Sequence, residues 1–310
     1  MTLYTHAESN VRKTWLLLFS FLIFIVALGW LFSYLLDNYI FLFLAVIIAF
    51  FQSFLSYWYS DKIVLAMTKA KEIEKKDNPE LYRIVENLCI TAGLPLPKIY
   101  IIQEKQPNAF ATGRNQNHAV IAVTSGLLEK LERPELEGVL SHELSHIGNK
   151  DMLLGTVIVI LIGVVALISN WFFRISFLAP YRAEGSGAGW GGSRRNSRDS
   201  GIPILMILGV VSAVLAPIAA TLIQLAVSRK REFLADASGA LLTRYPEGLA
   251  RALEKISADQ NQMKIASTST AHLFITSPFR GKQSRSWFAK LFMTHPPVEE
   301  RIRALREMEI

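Results

Sequence analysis

Two histidines and a glutamate stand close together near the middle of the chain, in the pattern H-E-x-x-H. His142 and His146 are four positions apart, so on a helix both side chains lie on one face and can bind the same metal ion. Glu143 stands between them, where a carboxylate can act as general base toward a water molecule that the metal activates. The pattern predicts metal-assisted hydrolysis. The alternative is an exposed amphipathic helix on which these side chains are merely solvated.

The residues around this motif predict a helix that turns Glu143 toward the protein interior. Pro134 suits a first helical turn, and Gly148-Asn149 suit a helix end. Apolar residues recur between them at helical spacing, at Leu136, Val139, Leu140, Leu144 and Ile147. Glu143 lies on this apolar stripe, where a carboxylate must be paired, bound to a metal or facing a cleft. The helical phase therefore favours a functional Glu143.

A third metal ligand is expected elsewhere in the chain, because catalytic zinc usually has three protein ligands and one water. Glu232 and Asp236 are four positions apart and share a helical face. We predict that Glu232 binds the metal and that Asp236 accepts the second ring N–H of a ligand histidine. An acidic pair on a solvated helix is the alternative, and the upstream H-E-x-x-H motif argues against it.

The composition is that of a membrane protein. Of the 310 residues 51% are hydrophobic, and the mean hydropathy is +0.29. Four apolar runs are long enough to cross a bilayer as helices, at 14–36, 39–60, 152–173 and 202–227. The first run is longer than the core of a signal peptide and has no small-residue cleavage site, so an uncleaved anchor is expected.

These runs predict the organisation of the whole chain. It comprises a transmembrane hairpin at 14–60, a cytoplasmic catalytic segment with H-E-x-x-H at 61–151, a third span at 152–173, a Gly/Ser/Arg-rich loop at 174–201, a fourth span at 202–227 and a cytoplasmic segment with the third ligand at 228–310. The expected fold class is a mainly α integral membrane protein. Four transmembrane helices would carry a cytoplasmic α+β zincin-like metalloprotease domain.

Lysine and arginine positions predict the orientation in the membrane. Arg12 and Lys13 precede the first span and several lysines follow the second, whereas the turn Asp37-Asn38 has no basic residue. The positive-inside rule therefore places the N-terminus and the H-E-x-x-H motif on the cytoplasmic side. Arginines in the 174–201 loop disagree with this rule if both later spans cross fully. We favour full crossing over a re-entrant hairpin, and both arrangements return Glu232 to the side of the motif.

The charge and the cysteine count narrow the possible partners. The net charge of +7 does not indicate nucleic-acid binding, because the basic residues flank apolar spans and no nucleic-acid motif is recognised. Anionic lipid head groups of the bilayer explain the charge more simply. Cys89 is the single cysteine and allows no intramolecular disulfide. Its place in a helical apolar pattern after Asn78-Pro79 predicts a thiol in the core.

Four motifs occur together in this chain. They are H-E-L-S-H at 142–146, Glu232-x-x-x-Asp236, P-N-A-F-A-T-G at 107–113, and M-T-H-P-P at 293–297 followed by Arg301-Ile302. Together they resemble the HtpX membrane metalloproteases, which are relatives of the CAAX prenyl proteases. The resemblance covers nearly the whole chain. It implies a zinc-dependent endopeptidase with one catalytic ion in a bacterial cytoplasmic (inner) membrane, acting on misfolded membrane proteins in quality control.

The resemblance also implies roles for individual residues. His142, His146 and Glu232 resemble the metal ligands, and Glu143 resembles the catalytic base. The stretch Asn108-Ala109-Phe110 is similar to the family motif near the substrate cleft, where the main chain can pair with a peptide. For Asn108 the alternative is a turn-forming residue before a strand.

His295 has two possible roles. It either supplies an electrophile to the developing oxyanion or docks the last helix, expected at 297–308.

Two other functions are compatible with these motifs. One is a membrane-anchored zinc-binding interaction protein that does not cut its partner, although the retained Glu143 argues against it. The other is a narrow-specificity CAAX-type processing protease, for which no sequence feature selects prenylated substrates. Another divalent metal could also occupy such a site.

Overall fold

The computed structural model describes residues 3–35, 37–178, 218, 229–267, 269–279 and 296–309. Its N-terminal part is a helical hairpin of α1 (Leu3–Leu35) and α2 (Ile40–Trp58), followed by α3 (Ser60–Met67). Asp37 adopts a left-handed conformation in the turn (φ 47°), and Asn38 Oδ1 accepts a hydrogen bond from Ile40 N at 3.0 Å. A Cβ on Gly29 would lie 2.1 Å from Ala45 Cβ, so a glycine is required where the two helices touch.

The long helix α7 (Asp151–Leu178) packs against this hairpin. Leu17 and Phe21 of α1 lie in one buried apolar cluster with Leu154 and Val157 of α7. Within the described ranges, three helices are long and apolar enough to cross a membrane: Ser9–Tyr34, Ile40–Trp58 and Asp151–Ile168. The predicted fourth span at 202–227 lies outside the described residues except for Ile218.

The helix α7 continues to Leu178, past residue 174, where the loop of 174–201 is predicted to begin. The physical reason is visible in the sequence, because no helix breaker follows Phe173 until Pro180. The remainder of that predicted loop lies outside the described residues.

The described residues of 71–148 and 229–309 carry the predicted site, and we call them the catalytic part. They contain a four-stranded mixed sheet. Its strands are β1 (Lys71–Glu72), β2 (Lys98–Ile102), β3 (Ala109–Gly113) and β4 (Ala119–Thr124), in the order β1-β2-β4-β3. The β2 and β4 strands are parallel, and the other two pairings are antiparallel. Every residue of β3 and β4 is buried, so both faces of this half of the sheet are covered. The strand β3 is at the edge of the sheet.

Further helices accompany the sheet in the part of the chain that the structure describes. They are α4 (Pro79–Ala92), α5 (Ser125–Lys130), α6 (Arg133–Gly148), α8 (Arg229–Thr243), α9 (Pro246–Ala258) and α10 (Val298–Arg306). The side chain of Asn78 caps α4 by accepting from Leu81 N at 3.0 Å, as its sequence predicts. Cys89 of α4 is buried in the core, which confirms that prediction, and this burial raises the pKa of its thiol to about 11.

The H-E-x-x-H helix α6 is buried on nearly all sides. At its start the Glu135 carboxylate accepts from Glu132 N at 2.9 Å, which satisfies one of the free backbone donors of the first turn. A Cβ on Gly138 would lie 2.6 Å from Leu249 N, so this glycine allows α9 to approach closely. The predicted apolar stripe, including Leu140, is in the core. This packing gives the motif a rigid support.

Candidate metal centre

His142 and His146 lie on successive turns of α6 and face each other. Their Nε2 atoms are 3.2 Å apart. The His142 side chain is 1% exposed and the His146 side chain 17% exposed, so His146 is on the open side of the site. Because both Nε2 atoms converge, one cation can be bound by both rings, as the helical spacing predicts.

Glu232, in the first turn of α8, completes a group of three possible ligands. Its Oε2 lies 3.8 Å from His142 Nε2, and its Oε1 lies 3.8 Å from His146 Nε2. The three ligand atoms lie within 4.8 Å of one another. A Cβ on Gly239 would lie 2.9 Å from His142 N, so this glycine allows α8 to pack tightly on α6. Two imidazole nitrogens and one carboxylate suit a catalytic divalent metal site.

Asp236 holds the ring of His142 from behind. Asp236 Oδ1 lies 2.8 Å from His142 Nδ1. Arg301 donates to both carboxylate oxygens, from Nη2 to Oδ1 at 2.6 Å and from Nε to Oδ2 at 2.8 Å, and from Nη1 to Ile275 O at 2.9 Å. We call Asp236 and Arg301 the Asp236 network. Burial raises the pKa of Asp236, but the charge and hydrogen bonds of Arg301 outweigh burial and lower the pKa to about 2. Asp236 is therefore ionised.

Asp151 holds the ring of His146 in the same way, and sequence reasoning missed it. Its Oδ2 lies 3.2 Å from His146 Nδ1. Lys150, with φ 55°, makes the left-handed turn that brings Asp151, the first residue of α7, back toward the motif. Its Oδ1 accepts a hydrogen bond from Asn10 Nδ2 of α1. We call Asp151 and Asn10 the Asp151 network. The available sequence signal is a carboxylate directly after the helix end and before an apolar run.

The pKa values of the two histidines shift in opposite directions. Burial lowers the pKa of His142, which favours the neutral ring that binds metals. Burial also acts to lower the pKa of His146, but Asp151 and Glu232 outweigh it and raise the pKa to about 9. The carboxylates thus favour a positive charge at this position, which a proton or a metal ion can supply.

Glu143 is buried beside the three possible ligands and lines the cleft next to them. Its carboxylate accepts a hydrogen bond from the main chain of Ala111, whereas Oε1 is buried without a hydrogen-bond partner. Burial raises the pKa of Glu143 to about 7. A carboxylate with this pKa can both take up and return a proton near neutral pH. Glu143 lines the cleft, which is one of the three surroundings that its place on the apolar stripe allows; its role as base stays a prediction.

A cleft lies over these residues. Its remaining walls are formed by Ala111 of β3, Met152 and Gly155 of α7, Arg231, and His272, Leu273 and Ile275. No sequence pattern places His272 here, because His272 has no partner at metal-ligand spacing. His272 Nε2 lies 3.1 Å from Gly155 O, which joins the segment 269–279 to α7.

The predicted substrate-binding stretch lies next to this cleft. Asn108 is fully buried, and its Nδ2 donates to Thr276 O at 3.0 Å. Ala109 O accepts from Ile275 N at 3.0 Å, and the Phe110 ring meets another buried ring edge-to-face. These three residues fasten the segment 269–279 to the sheet edge. Their contact with substrate stays a prediction, and His295 lies outside the described residues.

Two histidines on one helix, a base between them and a carboxylate from a later helix define a metallopeptidase of the H-E-x-x-H class. The sequence profile of Peptidase family M48 matches residues 75–309, and the chain belongs to this family. The Protease HtpX homolog of Syntrophobacter fumaroxidans is 50% identical over 268 residues, covering 86% of this chain and 89% of its own. That of Dictyoglomus thermophilum is 42% identical over 309 residues, covering 99% and 95%. A crystal structure of S. mikatae Ste24p covers 97% of this chain and 67% of its own at 20% identity, with a TM-score of 0.46.

These relatives confirm the resemblance to the HtpX proteases. The chain is a membrane-bound metalloprotease that acts on proteins. The family implies a metal cofactor, and the group of His142, His146 and Glu232 is compatible with one.

Proposed function

We propose that this chain is a zinc-dependent endopeptidase that cleaves membrane or misfolded proteins at the cytoplasmic face of a bacterial inner membrane. The observation that carries the proposal is the convergence of His142, His146 and Glu232, with the partnerless Glu143 Oε1 beside them. Non-catalytic zinc binding would need no buried carboxylate facing the cleft, and leaving that oxygen without a partner costs stability.

Zinc is the metal that this donor set suits best. Two neutral imidazoles and one carboxylate are a donor set found in catalytic zinc sites, and they would hold the ion while leaving room for a water. When bound, the ion lowers the pKa of a coordinated water and polarises the scissile carbonyl. The Asp236 and Asp151 networks hold both rings with Nε2 toward the site. The rings would therefore need little reorientation when a metal binds.

Glu143 performs the proton transfers. In this role its carboxylate takes a proton from the attacking water and then returns that proton to the leaving amine. The main chain of Ala111 holds one side of the carboxylate, which leaves the other side directed at the cleft. A peptide entering the cleft beside Ala111 would place its scissile bond between Glu143 and the proposed ligands.

The position of α7 favours substrates at the membrane. Asp151, Met152 and Gly155 line the cleft, and the same helix is long and apolar enough to cross a bilayer. A substrate leaving the bilayer would meet the cleft within the first two turns of this helix. The cytoplasmic orientation rests on the basic residues that flank the N-terminal hairpin.

The test combines metal analysis with cleavage of casein and of an unfolded membrane protein by the full-length chain in detergent. The wild type is expected to hold about one zinc per chain and to cut both substrates. Glu232→Ala is expected to lose zinc and cleavage together. The control Glu129→Gln, on an exposed side chain, should change neither property.

Three outcomes would contradict the proposal. Stoichiometric zinc without cleavage would indicate an interaction protein. Cleavage confined to prenylated C-terminal peptides would indicate the narrow CAAX-type enzyme. Full activity with another divalent metal and none with zinc would overturn the choice of ion.

A further inference from the structure

A buried amide on the first membrane helix reaches the metal centre. Asn10 of α1 is 4% exposed, and its Nδ2 donates to Asp151 Oδ1 and, at 3.4 Å, to Asn149 O. Asn10 lies at the N-terminal end of the apolar helix Ser9–Tyr34, just before Arg12 and Lys13, which flank the span predicted at 14–36. A buried amide is costly unless its polar atoms have partners, and Asn10 finds them beside the H-E-x-x-H motif.

The contact of Asn10 is with the carboxylate that orients His146. Asp151 offers one oxygen, Oδ1, to Asn10 and the other, Oδ2, to His146 Nδ1 at 3.2 Å. Arg231 Nε is the nearby cation, 3.9 Å from Asp151 Oδ1. The neutral amide holds the carboxylate in place without adding a countercharge beside it.

Apolar packing makes this contact depend on the whole hairpin. One turn beyond Asn10, Thr14 is also buried, and the apolar face that continues through Leu17 and Leu18 packs against Leu153 and Leu154 of α7. A shift of α1 along α7 would therefore move the Asn10 amide away from Asp151. The side chains of Asn10, Asp151 and His146 therefore form a continuous chain from the hairpin to the proposed metal ligand.

We propose that Asn10 is a positioning residue that orients His146 through Asp151 and makes metal affinity depend on docking of the N-terminal hairpin. This inference rests on the proposed function, in which His146 is a zinc ligand. Loss of a direct partner of a ligand typically lowers metal affinity about 10–100-fold. Asn10 is one contact further away, so its removal is expected to weaken zinc binding about 3–10-fold.

The experiment measures zinc affinity by competition with a chromophoric chelator, using the full-length chain in detergent. Asn10→Ala is expected to lower the affinity about 3–10-fold and to alter the visible spectrum of the cobalt-substituted protein. Asn10→Asp keeps the shape but replaces the donor with a carboxylate facing Asp151, and it should weaken binding at least as much. The matched control is Thr14→Ala, which removes a hydroxyl whose bond within the described residues is to Asn10 O of its own helix, and it should leave affinity unchanged.

A double-mutant cycle separates positioning from general stability. In an Asp151→Ala background, Asn10→Ala should change zinc affinity by less than about 2-fold, because the contact that transmits its effect is already gone. An equal loss in both backgrounds, or unchanged affinity in both Asn10 variants, would overturn the inference.

His146→Ala distinguishes this failure from failure of the proposed function. If His146→Ala loses zinc while both Asn10 variants bind as the wild type does, only the inference is wrong. If the wild type binds no zinc, or His146→Ala binds it normally, the proposed function itself is wrong.

Discussion

The two histidines of the centre are held in different ways, although each has a carboxylate at Nδ1. Behind His142 the Asp236 network is a fully buried ion pair in which Arg301 binds both carboxylate oxygens. Behind His146 the Asp151 network has a neutral amide as its main partner, and the ring is 17% exposed. One histidine is held through an ion pair in the interior, and the other through an amide of α1, one of the candidate membrane helices.

The two networks connect the histidines to different parts of the fold. The Asp236 network joins α6 to α8 and α10, which all belong to the catalytic part. The Asp151 network joins α6 to α7 and α1, which are both candidates for membrane spans. The position of His142 should therefore follow the stability of the catalytic part, and the position of His146 should follow its attachment to the membrane helices.

The largest effect on activity is expected from replacing Glu143, which lies between His142 and His146 in the H-E-x-x-H motif. Glu143→Gln removes the proton acceptor but leaves both Nδ1 partners in place, so turnover should fall about 10³-fold or more while zinc stays bound. Initial rates of casein cleavage and zinc content measure the two properties. Loss of zinc in this variant would mean that Glu143 itself contributes to metal binding, in addition to the two networks that orient the histidine rings.

Breaking the Asp236 network should cost the most stability. Arg301→Met leaves Asp236 buried without its cation, and removing one partner of a buried pair typically costs about 3–5 kcal/mol. Thermal or denaturant unfolding in detergent measures the change. Arg303→Ala, an exposed arginine on the same helix, is the control and should change stability by less than about 0.5 kcal/mol. An equal loss of stability in Arg301→Met and Arg303→Ala would indicate that the positive charge of α10 matters, and not the specific pairing of Arg301 with Asp236.

The matched pair Asp236→Asn and Asp151→Asn tests the comparison directly. Both should lower zinc affinity about 10–100-fold, because each removes the charge behind a ligand ring. Only Asp236→Asn should lower the free energy of unfolding strongly, by about 2–3 kcal/mol, since it leaves the Arg301 charge poorly paired in the interior. Asp151→Asn should cost less than about 1 kcal/mol, because an amide can still accept from Asn10. Equal stability losses would show that the two networks do not differ as described.

The local parts of the centre could be predicted from the sequence, because helix geometry relates residues a few positions apart. The spacing of His142, Glu143 and His146 is enough to place them on one face. Glu232 follows from the need for a third ligand and from its spacing to Asp236. Caps and breakers likewise predict the bounds of the helices, such as the start of α4 after Asn78.

The distant contacts could not be predicted in this way. Arg301 is 65 positions from Asp236, and Asn10 is 141 positions from Asp151, so neither pairing leaves a periodic signal. Arg301 stands in the charged run E-E-R-I-R, which is typical of an exposed helix, yet it is fully buried. The strand order β1-β2-β4-β3 is similarly set by packing between segments far apart in the chain.

The smallest effect on zinc affinity is expected from replacing Arg231, the second arginine near the site. Arg231 Nε lies 3.9 Å from Asp151 Oδ1, and its side chain is 12% exposed, whereas Arg301 is buried and binds its carboxylate through two short hydrogen bonds. Arg231→Gln should therefore weaken zinc binding by only about 2–5-fold, equivalent to less than about 1 kcal/mol. The same chelator competition measures this change, with Arg301→Met alongside. A larger loss for Arg231→Gln than for Asn10→Ala would mean that charge, rather than the amide, fixes Asp151, and the two networks would then work by the same principle.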